Sequence, residues 1–157
     1  MKVLIVYDSR SGNTKRMAHY VEEGVKAEGV DVDVMKVDNA NVDDLPNYRG
    51  LILGSPVYYG LPSAKIKEYL DSSIKHHNKL DGMVGGAFAS SGGTHTGAET
   101  TILALLEALM VQGMIIQGTS SANHYGAASV GAPEDKDIEV CRKLGGRIAR
   151  LVKKLNE

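Results

Sequence analysis

Tryptophan is absent from this chain, phenylalanine and cysteine occur once each, and there are four prolines in 157 residues. A single cysteine, Cys141, excludes an internal disulfide and cannot by itself frame a metal cluster, so no metal is expected and a reducing cytoplasmic setting is. A surplus of either charge is also missing, since Lys plus Arg number 18, Asp plus Glu 19, and the formal net charge is −1. Nothing basic is therefore available for a nucleic-acid backbone, and no long basic run occurs. Nor is the chain acidic enough to be steered towards basic partners. Its most apolar stretch, 102–116, contains Glu107 and Gln112 and is too short to cross a bilayer, so no membrane span is expected. No secretory leader is expected ahead of the first apolar run. With no internal repeat, low-complexity stretch or linker, the length suits one domain over 1–157.

What is present is alternation. Apolar runs at 2–7, 31–37, 50–54, 83–89 and 114–117 read as strands. Helical spacing covers 14–28, 63–75, 97–112 and 134–155. The first and third runs are continuously apolar at their centres, as in strands covered on both faces. Val30, Val32, Val34 and Val37 largely alternate, which suits an edge strand. Ile138, Cys141, Leu144, Ile148, Leu151 and Leu155 recur at helical spacing, and Pro133 marks the start of that helix. Cys141 lies on its apolar face, the setting of an inert buried thiol. The pattern predicts an α/β fold, a doubly wound five-stranded parallel sheet in the order 2-1-3-4-5, with its ligand site at the carboxyl ends of the strands.

The richest segment follows the first strand: Ser9, Arg10, Ser11, Gly12, Asn13 and Thr14. A strand that turns abruptly into a helix leaves unpaired N–H groups at the helix start, and with the helix dipole they form an anion site. Gly12 lets the backbone come close to a ligand. The hydroxyl and amide side chains add donors suited to a terminal phosphate. Asn13 or Thr14 could alternatively cap the helix with no ligand at all. No Walker A pattern and no G-x-G-x-x-G occurs.

In the predicted order, three further segments gather at the same edge. One contains Pro56, Val57, Tyr58, Tyr59 and Gly60. The next contains Ser90, Ser91, Gly92, Gly93, Thr94 and His95. The last, 118–133, contains His124 and Tyr125. Glycines admit a flat polar ligand close to backbone, and aromatics cover its faces. Response regulators need an aspartate where this chain has Gly54-Ser55, and small tyrosine phosphatases need a cysteine in the first loop. The acidic loop 38–44 reads as solvated, and His76 and His77 as exposed.

On these residues the chain resembles flavodoxin-fold FMN proteins, and is especially similar to the WrbA-type NAD(P)H:quinone oxidoreductases. Residues 9–14 match the flavodoxin phosphate loop, and 54–60 the loop bordering the isoalloxazine. Residues 88–93 with 97–101 are similar to the third loop and helix start. His124-Tyr125-Gly126-Ala127 resembles the family's Pro-Tyr-Gly-Ala segment, and Lys154-Leu155-Asn156 its end. Three departures stand out. The family's extra length between strands two and three is missing, Gln112 stands where the family has a histidine, and there is no tryptophan.

The resemblance implies a flavodoxin-like fold and FMN as cofactor. It places residues 9–14 at the ribityl phosphate and 57–59 with 90–95 at the ring. It also implies hydride transfer from NAD(P)H through FMN to a small-molecule acceptor such as a quinone. The competing reading is an electron carrier shuttling between redox proteins. At least one of Tyr58 and Tyr59 is expected to face inward, and one to lie near the ring. His95 reads equally as a solvated loop residue or as one over the flavin. His124 and Tyr125 read as turn residues, or as reaching the flavin of this chain or of a neighbour in a homo-oligomer, a dimer or tetramer. As the residue type that titrates near neutrality, His95 or His124 is the candidate proton donor.

Overall fold

The first apolar run becomes β1 (Lys2–Tyr7), and in the computed structural model, which describes all 157 residues, Val3 to Val6 are sealed from water. A strand buried on both faces belongs mid-sheet. β1 indeed pairs in parallel with β2 (Asp31–Lys36) on one side and β3 (Gly50–Tyr58) on the other. A two-residue strand, β4 (Leu61–Pro62), folds back antiparallel on the end of β3. Beyond β3 lies β5 (Val84–Ser91), buried throughout. Its far edge carries two short pieces, β6 (Ile115–Ile116) beside Val84-Gly85 and β7 (Ala127–Val130) beside residues 88–91. The five principal positions thus follow the expected order, and all pairings but the β3–β4 hairpin are parallel.

Helices cover both faces. α1 (Asn13–Ala27) and α4 (Asp135–Asn156) bury Met17, Val21, Val25, Cys141, Leu144 and Ile148 against one side. α2 (Ala64–Ser72) and α3 (Ala98–Val111) bury Ile66, Leu70, Ile102, Leu105 and Leu109 against the other. α4 begins where expected, with the Glu134 N–H donating to Asp137 Oδ2 at 3.1 Å. Cys141 is fully buried, and that burial, with the Asp137 charge nearby, pushes its thiol up to about 12. The inert reading of this residue holds. No helix is long and apolar enough to cross a membrane.

Five local expectations change. The third strand does not stop at Gly54 but runs to Tyr58. The fourth runs to Ser91. The edge strand expected at 114–117 is only two residues long and resumes at β7, inside the stretch 118–133 that read as loop. His76 is buried, with Nε2 3.3 Å from Asp43 Oδ1, and only His77 is exposed. The acidic loop is not merely solvated either. Asp38 pairs with Lys36 and Lys65, and Asp43 with Lys75.

α1 and α4 approach closely because glycines stand at the crossing. A Cβ on Gly145 would fall 2.0 Å from the Val21 carbonyl oxygen, and one on Gly24 2.0 Å from that of Arg142. A Cβ on Gly146 would meet the far ends of the Arg150 and Glu28 side chains at 3.3 and 3.4 Å and the Gly24 carbonyl oxygen at an ordinary contact distance of 3.6 Å. Helix propensity favours alanine over glycine by about 1 kcal/mol, whereas overpacking costs about 1–3 kcal/mol. Urea titration should therefore show Gly145→Ala losing stability and Gly146→Ala neutral or gaining. Shifts of the same sign and size at both positions would contradict the close crossing.

Candidate functional site

The end of β1 is locked to β3, with the Asp8 N–H donating to the Gly54 carbonyl at 3.0 Å. The chain then turns through residues 9–12. The Gly12 N–H donates to Ser9 Oγ at 3.1 Å, and Gly12 has φ +96°. That left-handed conformation is strained for any residue with a Cβ. Gly12 is the residue preceding α1, and no side chain caps the helix. The simple capping role open to Asn13 or Thr14 is therefore not what the fold uses. Thr14 is buried instead, its Oγ1 2.7 Å from Ser90 Oγ at the end of β5. The first turn of α1 contains no acid, and Lys15 and Arg16 follow directly. Cations at the positive end of a helix are unfavourable unless an anion joins them. Uncapped amides, a left-handed glycine, hydroxyls and neighbouring cations all fit a phosphate.

The second segment is a hairpin rather than a loop. Tyr59 and Gly60 both have positive φ, +52° and +77°, as a tight two-residue turn between β3 and β4 requires. Ser55 Oγ accepts from the Ser63 N–H at 2.9 Å and donates to the Pro56 carbonyl at 2.8 Å, fixing the base of the hairpin. Its tip leans on α3. A Cβ on Gly97 would lie 2.5 Å from Gly60 Cα, and Thr100 Oγ1 donates to the Gly60 carbonyl at 2.8 Å. The second and third segments are thereby joined. Tyr58 is 41% exposed and Tyr59 wholly exposed, so neither faces inward as expected. Both rings stand at the rim.

Ser90 and Ser91 belong to β5 and are buried. Ser91 Oγ donates to the Gly93 carbonyl at 3.0 Å. These hydroxyls brace the floor, while Gly92, Thr94 and His95 are exposed above it. His95 sits at φ +57° and lines a cavity of about 340 Å³ with Thr94, Glu99, Ser129 and Asp137. A second cavity, of about 360 Å³, joins Ser9 and Arg10 to Tyr58 and the start of α2.

His124 and Tyr125 are not with the others. They precede β7, whose first residue pairs with Phe88, so they flank the middle of the sheet edge and not its carboxyl end. His124 Nδ1 lies 2.8 Å from the Thr119 carbonyl, closing a small loop, and Tyr125 meets its ring edge-on. Sequence reading gave no individual role to Ser55 or Thr100, although both lie in segments it named, and missed Ser63, Lys36 and Lys65. Thr100 and Ser55 act through contacts between segments far apart in sequence, which leave no local signal. Lys36 at the end of β2 and Lys65 in the first turn of α2 could have been found from the strand-end rule.

Comparison with known proteins agrees with this geometry. The Flavodoxin family model matches residues 5–136. A flavodoxin of Aquifex aeolicus is 39% identical, over 96% of this chain and 86% of its own. An NAD(P)H dehydrogenase (quinone) of Archaeoglobus fulgidus is 30% identical over 98% of each. Its alignment runs over 188 positions, more than this chain possesses, so that relative carries segments with no counterpart here. Among solved structures, a flavodoxin from the domain Archaea superposes with a TM-score of 0.81 at 28% identity, over 98% of this chain and 99% of that one.

Asn13→Asp separates an anion site from a plain helix start. A carboxylate in the first turn should stabilise the ligand-free protein by about 0.3–1 kcal/mol. Facing a phosphate, the same charge should weaken FMN binding at least about tenfold. Thermal melting and FMN titration read the two signs. Unchanged FMN affinity would contradict the assignment.

Proposed function

Because the chain belongs to the flavodoxin family, we propose that it binds FMN through residues 9–14 and carries electrons from NAD(P)H to a small quinone-like acceptor. FMN, when bound, supplies the redox chemistry, accepting hydride at its ring and passing it on. The protein contributes binding, orientation and charge. The amides at the start of α1 hold the phosphate, and the Ser9–Gly12 hydrogen bond keeps their loop closed. The hairpin of Val57, Tyr58, Tyr59 and Gly60 and the turn of Gly92, Gly93, Thr94 and His95 are the two walls for the ring. Their amides stabilise negative charge at its polar edge.

The observation that carries the enzyme reading is the third segment. Residues 92–97 contain no Trp, Tyr or Phe, so no large ring on that wall covers a bound flavin, and a nicotinamide or a quinone can use that face in turn. The two exposed tyrosines stand on the other wall. His95, on the wall formed by residues 92–95, lines a cavity towards β7 and the start of α4 and is the proton donor in this reading. His124, on the sheet edge, serves only a neighbouring copy in a symmetric assembly.

A second reading, an electron carrier between redox proteins, is favoured by length. The Aquifex aeolicus flavodoxin aligns over 160 positions, close to this chain's own 157 residues. Anaerobic stopped-flow mixing of FMN-loaded protein with NADH and NADPH separates the two. Rapid bleaching of the flavin band is expected, and silence with both nucleotides would leave the carrier. His95→Ala should slow acceptor turnover at least about tenfold, while His124→Ala stays within about twofold in dilute monomer. No effect of His95→Ala would remove the proton-donor role.

A further inference from the structure

α3 is unlike the other helices. Two of its 14 residues, Glu99 and Glu107, are charged, against ten of 22 in α4 and four of nine in α2. A helix that apolar belongs where every side is covered. Ile102, Leu105, Leu106 and Leu109 face the core. Leu103, Met110 and Val111 stand in solvent instead, Val111 with 74% of its surface exposed. Together with Glu107 they recur at i, i+4, i+7 and i+8, which is one stripe along the outer side of the helix.

The stripe runs into a groove of about 540 Å³ between the last turns of α2 and α3. Leu70, Ile74, Ala108 and Val111 form its apolar lining, and Lys67 and Asp71 stand beside them. Ile74, in the turn after α2, is 77% exposed. This end of the molecule is the one opposite the FMN edge, because the chain leaving α3 enters β6 beside Val84, the first residue of β5. No residue of the groove lies in 9–14, 54–60 or 90–95.

Single apolar residues on a surface need no explanation, but a contiguous set rimmed by charge marks a contact with another molecule. Two features select a second copy of this chain. The first is shape. A projecting isoleucine stands at the lip of an apolar groove, so a two-fold rotation seats each copy's Ile74 in the groove of the other, as a self-complementary interface demands. The second is charge. Glu107, the one charge in the stripe, has no cationic partner in its own chain. Lys67 pairs only with Asp71, an exposed i, i+4 pair of little worth. The face therefore carries an unanswered carboxylate and a weakly held ammonium, and the same rotation brings the two signs together.

We propose that the chain forms a symmetric dimer through this face, with Ile74 of each copy seated against Leu70, Ala108 and Val111 of the other and Glu107 paired with Lys67 across the axis. The dimer does not depend on the electron-transfer reading above, and it leaves the carboxyl edges of both sheets open. Stable interfaces bury about 800 Å² on each partner. A helix about 20 Å long with one turn beside it supplies somewhat less, so the dissociation constant falls in the micromolar range, about 1–100 μM.

The test is sedimentation velocity on the full chain over about 1–300 μM, where mass action should carry it from monomer to dimer. Ile74→Asp and Val111→Lys should each leave a monomer throughout, with far-UV dichroism and FMN absorbance retained. Leu155→Lys, which removes an exposed apolar side chain on the other side of the sheet, should dimerise as the parent does. Glu107→Lys should weaken the dimer at least about tenfold, and adding Lys67→Glu to that variant should restore it. A monomer at every concentration overturns the proposal and leaves the face to a different partner. A dimer that survives both Ile74→Asp and Val111→Lys, or that Leu155→Lys weakens equally, overturns the assignment to this face. Failure of Lys67→Glu to rescue Glu107→Lys overturns the pairing across the axis.

Discussion

Everything at the carboxyl edge of this sheet depends on the unpartnered amides at the start of α1. Helix starts normally satisfy such groups with a Ser, Thr, Asp or Asn side chain. Here a left-handed glycine takes the capping position, no side chain caps the helix, and the adjacent threonine is turned down to Ser90. The first turn then continues with Lys15 and Arg16, against the preference of the helix dipole. Each of these choices is unfavourable for the helix alone. In the proposed function, one external anion held against the backbone resolves them together.

The rest of the edge is shaped by close backbone approach. Gly54 leaves room for the chain's one phenylalanine, since a Cβ there would fall 2.1 Å from the Phe88 ring. Gly97 receives the tip of the β3–β4 hairpin, and Thr100 ties the two together across 40 positions of sequence. Gly126 lets β7 lie against β5. The walls of the site therefore rest on strands and a helix start rather than on free loops. That rigidity is what keeps binding groups in place for a flat cofactor.

The alternation of apolar runs and helical faces was enough to read the sheet order and both helical layers, because burial on two faces writes continuous apolar strands. The first loop was legible for a similar reason, since its donors lie within six consecutive residues. Contacts across the fold were not legible. Nothing near Tyr58 and Tyr59 announces a hairpin other than Gly60, so two strand ends were read as loops and an inward tyrosine was expected. The split of the edge strand into β6 and β7 was hidden because Ala127–Val130 is short and carries little apolar signal. His76 is buried in the turn that follows α2, with Asp43, over thirty positions away in sequence, 3.3 Å from its ring.

The measurement closest to the central claim is a calorimetric comparison of FMN with riboflavin, which differ by the terminal phosphate alone. If the amides of α1 grip that phosphate, FMN should bind at least about a hundredfold more tightly, roughly 2.7 kcal/mol, as charge-assisted hydrogen bonds to a dianion imply. Equal affinities, or no heat with either ligand, would contradict the account from its first residues onward.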